Sequence, residues 1–495
     1  MAAALDKYMP SFLKGHHPGL GVMAMTEIWE RLAYYGMRAI LVLFLVDTAQ
    51  GFSLDEDYAA SVYGLFLSVA YMTSLMGGWF GDRVLGSVQA IMLGAIFMMI
   101  GNFILALSAE LNVFYLGLFF IVLGLSLLKP NISAVISFLY PEGGARRDTA
   151  FYIFYLAINV GALIGPFVTA TAAAMYGFRA GFACAGIGMI LGIAQLAFAI
   201  KFKTVTLDLG AANSGGRIGQ RTKLVAWACV ALVVAMILLI LFGDMEVEIN
   251  AILDGIGVFL LFVAIGYFSF LFLSKDLTIQ EKKGVGGLLI LFFGAILFYL
   301  GLSQPGSSFN LFTDDYTNKT IWGFDIPTGW FQAINPAFTL LLTPFFTWLW
   351  VNLDEKDKNP PVVAKFAIAI MCTAVAFAAI GYAALNVTED ALASPWWLVL
   401  TYFAQTCAEI ILIPIGLSFV TKLMPDRYVG QGMGIWFLSV SIGYLLGGRY
   451  AGAMDYDSSV AMGQQFLWIS GVFAISSIIM FAIVRVVRPL FKEVE

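Results

Sequence analysis

Apolar residues run along this chain in long blocks, not in strict alternation. Fourteen blocks are long enough to cross a bilayer, which takes about 20 apolar residues in a helix. They cover residues 19–48, 58–80, 87–108, 112–140, 149–176, 180–202, 223–242, 250–274, 285–304, 328–353, 361–385, 395–424, 429–454 and 461–486. The pattern predicts an all-α integral membrane protein.

Polar residues between the blocks are sorted by sign. Alternate loops hold Arg83, Arg146 and Arg147, Lys201 to Lys223, Lys275 to Lys283, Lys356 and Lys358, and Lys422 to Arg427. The others hold Asp55 to Asp57, Asp244 to Glu248, Asp314 and Asp315, Glu389 and Asp390, and Asp455 to Asp457. Cationic loops stay cytoplasmic. The expectation is therefore a multi-pass protein of the cell inner membrane with both termini cytoplasmic. A flexible stretch, Ala211 to Gly216, interrupts the basic link after the sixth block. The division expected is 1–18 cytoplasmic segment, 19–202 six-helix bundle, 203–284 basic linker and inserted helix pair, 285–486 second six-helix bundle, and 487–495 cytoplasmic tail. Two six-helix bundles describe the major facilitator architecture, with the middle pair as an appended hairpin. The alternative is some other fourteen-helix fold.

Composition agrees. The 495 residues are 60% hydrophobic and 12% charged, with mean hydropathy +0.88, whereas soluble domains carry about 25% charge. Residues 1–18 are polar and the first block is too long for a signal peptide. Cys184, Cys229, Cys372 and Cys407 are scattered singly, which gives neither a disulfide framework nor a metal site. His16 and His17 precede the first block, so proton chemistry within the membrane falls to carboxylates.

The first block holds four ionisable groups. Glu27, Glu30, Arg31 and Arg38, with Tyr34 and Tyr35, lie at offsets 0, 3, 4, 11, 7 and 8, one face of a helix. A charge at a helix centre costs roughly 2.5–3.5 kcal/mol on insertion scales. The stripe must face a cavity or a partner helix; the bland reading is a static ion-pair cluster. The fourth block carries Lys129-Pro130-Asn131, and the lysine needs an anion, for which Glu27 or Glu30 is the obvious donor. Asn159 in the fifth block and Asn335 before Pro336 in the tenth offer amides, and either equally serves as a helix-packing hydrogen bond. Glu409 is an isolated intramembrane acid. Tyr71, Tyr299 and Trp436 line a pocket or simply pack. Gly77 to Gly86 reads as a tight loop in which Gly78 permits close approach and Asp82-Arg83 locks helix ends. Cations thus sit in the first half and an acid in the second, a polarity that matches a zwitterion. No nucleophile–base set, metal constellation or phosphate loop points to an enzyme.

These motifs resemble the proton-dependent oligopeptide transporter (POT) family of the major facilitator superfamily, in its prokaryotic branch with two additional helices. The matches are Gly15-His16-His17-Pro18-Gly19-Leu20, Glu27-x-x-Glu30-Arg31, Tyr34-Tyr35-Gly36-Met37-Arg38, Asp82-Arg83, Leu128-Lys129-Pro130-Asn131, Phe154-Tyr155-x-x-Ile158-Asn159-x-Gly161, Gln332-x-x-Asn335-Pro336, and Glu409-x-x-x-x-Pro414-x-Gly416-Leu417-Ser418. The resemblance implies import of di- and tripeptides with protons by alternating access, with no cofactor beyond the coupling proton, no metal and no nucleic acid, in a lipid-embedded monomer. It implies that Glu27, Glu30, Arg31 and Lys129 couple the proton. Arg31, Tyr35, Arg38 and Lys129 would take the peptide carboxylate. Asn159, Asn335 and Glu409 would take the amino terminus. Tyr71, Tyr299 and Trp436 would line side-chain pockets, and Gly78, Asp82, Arg83, Pro130, Pro336 and Pro414 would serve gating or helix geometry.

Three positions depart from the family pattern. Where many relatives carry an acid in the seventh bundle helix, this chain has Ser303, with Tyr299 in place of tryptophan. The histidine of animal relatives aligns with Gly64, and the serine usual before the tenth-helix proline is Ile413. Other readings are a proton-coupled carrier of nitrate, amino acids or another small solute, or a non-transporting membrane receptor.

Overall fold

The computed structural model describes residues 15–142, 144–206, 219–242, 249–388 and 390–491. The expected flexible link at 211–216, the acidic loop at 244–248, Glu389 and most of the two terminal segments lie outside these residues.

Among the described residues, fourteen long helices follow the apolar blocks. The first six are α1 (Pro18–Val46), α2 (Glu56–Phe80), α3 (Ser87–Leu107), α4 (Leu111–Leu139), α5 (Gly144–Tyr176) and α6 (Phe178–Lys201). The inserted pair is α7 (Gln220–Phe242) and α8 (Ile249–Leu273). Then come α9 (Ile279–Leu302), a short α10 (Ser308–Tyr316), α11 (Ile334–Asp354), α12 (Val362–Leu385), α13 (Trp396–Leu423), α14 (Val429–Ala451) and α15 (Ser459–Val487). Two-residue strands, β1 (Thr320–Ile321) and β2 (Phe324–Asp325), form a small antiparallel hairpin. Among the described residues, twelve helical spans combine the length and apolarity of a membrane crossing. Helix α1 falls short of that measure through its own four charges.

Contacts divide the chain into two units. One joins residues up to Ile40 with 73–246; the other joins 41–72 with the remainder. Helix α7 therefore falls in the first unit and α8 in the second. The leading part of α2 also belongs to the second unit.

In the first unit, small residues set helix spacing. A Cβ on Gly161 would stand 2.5 Å from the Ile28 carbonyl and 2.7 Å from Arg31 Cβ, so α5 lies directly against the charged part of α1. Thr169 Oγ1 donates to the Gly36 carbonyl at 2.7 Å on the same seam. The run expected as a loop after α2 is helical. Helix α2 continues to Phe80 and ends in a π-helical turn, Gly81–Leu85, that stops at Gly86, whose φ is +89°. The cause lies on α4. A Cβ on Gly77 would meet the Ser126 carbonyl at 1.8 Å, and one on Gly81 would meet Asn131 Oδ1 at 1.8 Å. Asn131 Nδ2 donates to the Gly77 carbonyl at 3.1 Å. The glycines serve helix approach along the span rather than a turn.

In the second unit, the leading part of α2 is packed on α14. A Cβ on Gly64 would lie 2.2 Å from Gly448 Cα. Below it, Ser68 Oγ and Ser441 Oγ are 2.9 Å apart, and Ser441 also donates to the Ser68 carbonyl. Helix α9 ends at a polar knot: Gln304 Nε2 donates to the carbonyls of Leu300 and Gly447 and to Ser303 Oγ, and Gln304 Oε1 accepts from Ser308. Every one of these groups is buried, where an unmet hydrogen bond is costly.

Candidate functional site

The stripe on α1 folds as its spacing requires. Arg31 Nε contacts Glu27 Oε1 at 2.8 Å and Glu30 Oε2 at 2.5 Å. The three side chains are nearly inaccessible, at 2%, 0% and 3% exposure for Glu27, Glu30 and Arg31. Two carboxylates thus share one guanidinium in a dry setting. Among the described residues, Glu27 Oε2 and Glu30 Oε1 have no hydrogen-bond donor. Lys129 of α4 adds its charge to the field at Glu30. Further along α1, Arg38 lies over the rings of Tyr34 and Tyr35, 5.3 Å from each centroid, and Arg31 lies 5.6 Å from Tyr34. Asn159, on α5, donates to the Tyr155 carbonyl one turn back at 2.9 Å.

In the second unit, Asn335 Nδ2 donates to Glu409 Oε2 and to Thr406 Oγ1, each at 3.0 Å. The amide leaves the carboxylate fixed in direction as an acceptor. Pro336 does not break a helix. It is the third residue of α11, after a 3-10 turn over Thr328–Ala333, where a missing N–H costs nothing. Pro130 and Pro414 do lie inside helices, α4 and α13. Tyr444 joins Tyr71 to Tyr299, and Tyr299 in turn meets Trp436: centroid separations are 5.1 Å for Tyr71–Tyr444, 5.5 Å for Tyr299–Tyr444 and 6.3 Å for Tyr299–Trp436. Trp436 is wedged over Gly416, where a Cβ would meet its ring at 2.0 Å. Sequence reasoning missed Tyr444, which has no motif around it; its role comes from packing across helices far apart in the chain.

Two expectations turn out differently. Asp82 and Arg83 are exposed, and among the described residues neither makes an ion pair. The first acid after the Ser303 position is engaged locally: Asp314 Oδ1 accepts from Lys319 Nζ at 2.5 Å and from Thr328 Oγ1 at 2.6 Å. Among the described residues no group of three or more His, Cys, Asp and Glu is arranged to hold a metal ion.

Known proteins resemble this chain in sequence and in fold. The POT family model matches residues 88–469. The peptide transporter YePEPT of Yersinia enterocolitica is 34% identical over 492 residues, 97% of this chain and 96% of that one. The di-/tripeptide transporter of Lactococcus lactis subsp. cremoris is 31% identical over 498 residues, 99% and 98% of the two chains. A POT peptide transporter in complex with sulfate superposes with a TM-score of 0.88 at 31% identity, over 96% of both chains. A POT family transporter in complex with a thioalcohol-conjugated peptide gives 0.87 at 28%, over 97% and 99%. The fold is accordingly the all-helical major facilitator fold with two added helices, in a multi-pass membrane protein. With the shared-arginine carboxylate pair on α1 and these matches along nearly the whole length, the chain belongs to the POT family.

Proposed function

We propose that this protein is a proton-coupled symporter that imports di- and tripeptides across the cell inner membrane by alternating access. The observation that carries the reading is the buried Glu27–Arg31–Glu30 cluster with Lys129 in its field. Its two acids and two cations balance. A peptide carboxylate arriving at Arg31 and Lys129 adds a negative charge, and a proton on Glu27 or Glu30 cancels it. Without that proton the site would cross the membrane carrying an uncompensated charge, which costs several kcal/mol. The carboxylate oxygens that lack donors are where the proton would sit.

Arg31, Tyr35, Arg38 and Lys129 receive the carboxylate end of the peptide. Glu409, held by Asn335, receives the amino terminus together with Asn159. Tyr71, Tyr299, Tyr444 and Trp436 supply the aromatic surface for side chains. The protein needs no cofactor beyond the proton, works as a monomer in lipid, and has both termini in the cytoplasm. The sorting of basic loops supports that orientation, and the names of the relatives support the peptide.

A second reading is a carrier of smaller zwitterions, favoured by a POT family transporter, 28% identical, whose structure is in complex with 5-aminolevulinic acid. Purified protein in liposomes under an inward-acid gradient separates the two. Competition by a dipeptide, with none from its N-acetylated form or nitrate, supports the peptide reading. Competition by 5-aminolevulinic acid and not by dipeptides replaces it.

A further inference from the structure

The inserted helix α8 is tied to α14 at both ends. At one end, Asn250 Oδ1 accepts from Arg449 Nη1 at 3.0 Å, and Arg449 Nη2 reaches Asp254 at 3.1 Å. Ser61 of α2 donates to the same Asn250 oxygen at 3.5 Å. At the other end, Tyr267 OH donates to Gln431 Oε1 at 2.6 Å. The spacing matches: at 1.5 Å rise per residue, Asn250 to Tyr267 spans about 26 Å and Gln431 to Arg449 about 27 Å. Between the ties, Gly257 lets the helices close, since its Cβ position is 3.2 Å from Leu445 Cδ2. Phe268 also meets Phe292 of α9 edge-on at 5.3 Å. Elsewhere along α8, Phe259, Leu261, Phe262 and Ile265 are exposed. Trp436 and Tyr444 lie between the two tie points on α14.

We infer that α8 is a fixed brace for α14. Asn250, Asp254 and Tyr267 act as positioning residues that hold Trp436 and Tyr444 in register, so that α8 and α14 move as one body during transport. Two ties at matched spacing block both sliding and tilting, which one tie would not. The seam of α2 on α14 is different in kind. It consists of the Gly64–Gly448 approach and the Ser68–Ser441 hydrogen bonds, and alternating access requires it to part. This inference rests on the transport reading above.

Two cysteine pairs test it in liposomes. Gly257→Cys with Leu445→Cys links α8 to α14, and Ser68→Cys with Ser441→Cys links α2 to α14. Single-cysteine variants control for Cys184, Cys229, Cys372 and Cys407. With both pairs oxidised, the first is expected to keep at least about half of its reduced-form dipeptide counterflow. The second is expected to fall below about a tenth and to recover on reduction. Counterflow lost on closing the first pair, or failure of that pair to close, overturns the brace. Counterflow surviving closure of the second pair counts against the alternating-access reading instead. Independently, Arg449→Asp should raise the dipeptide KM several-fold at unchanged membrane abundance. Adding Asp254→Arg should bring it back to within about twofold. An unchanged KM in the single variant overturns the positioning role.

Discussion

Glu30→Gln is the sharpest perturbation of the proposed coupling site. The glutamine keeps the shape and removes one charge from a fully buried group that touches Arg31. Because Glu27 still holds Arg31 at 2.8 Å, the pair is not broken. The loss of stability should therefore be nearer the roughly 1–3 kcal/mol of a buried hydrogen bond than the 3–5 kcal/mol of an orphaned buried charge. The transport effect is larger. Each proton carried down one pH unit supplies about 1.4 kcal/mol, which is tenfold accumulation. With one unit of inward-acid gradient and no membrane potential, the unaltered protein should concentrate a labelled dipeptide up to about tenfold per coupled proton. Glu30→Gln should equilibrate it without concentrating it. Counterflow, which needs no net proton movement, should survive in part. The assay is uptake into liposomes with and without the gradient, for Glu27→Gln and Glu30→Gln separately. If both variants still concentrate peptide as the parent does, these acids are not on the proton path.

Three further outcomes follow from particular contacts. Ser303→Glu should not restore an acid to useful service: Ser303 Oγ stands 2.0 Å from where a Cβ on Gly447 would lie, so the larger side chain must displace α14. A cost of about 1–3 kcal/mol is expected, read as a lower unfolding midpoint in detergent, and an unchanged midpoint would refute the packing argument. Gly64→Ala places a methyl 2.2 Å from Gly448 Cα and should loosen the α2–α14 seam. A Ser68→Cys thiol should then react several-fold faster with maleimide than in the Gly64 parent, and equal rates would contradict this. The third concerns pH. Partial burial holds His17 below the usual histidine value, and its Nδ1 accepts from the Gly19 N–H at 3.0 Å. A lowered folded value means this support is complete above about pH 6.5 and is lost as pH falls through the folded value. Hydrogen exchange at Gly19 should quicken on acidification over that range, and a flat profile would exclude the linkage.

The chain's own residues determine much of this protein. Apolar blocks of bilayer length impose helices, because backbone groups in lipid must be satisfied within their own segment. The periodicity of α1 places Glu27, Glu30 and Arg31 on one face, since helical neighbours at three and four residues meet directly. The isolation of Glu409 in an apolar block marks it as purposeful. What α2 does at Gly77 to Gly86 is not readable along the chain, because glycines there mean a turn or a close helix according to what lies opposite. Asn131 of α4, more than forty residues away, decides it. Pro336 likewise reads as a break until the 3-10 turn before it makes it a helix start. Tyr444 joins two aromatic residues from distant segments, Tyr71 and Tyr299, and α8 proves tied to α14 by groups that carry no motif. Local polarity and period specify which segments are helices and which faces are polar. Which face meets which is a matter of volume and hydrogen-bond complementarity between distant segments, and that is settled only when the helices pack.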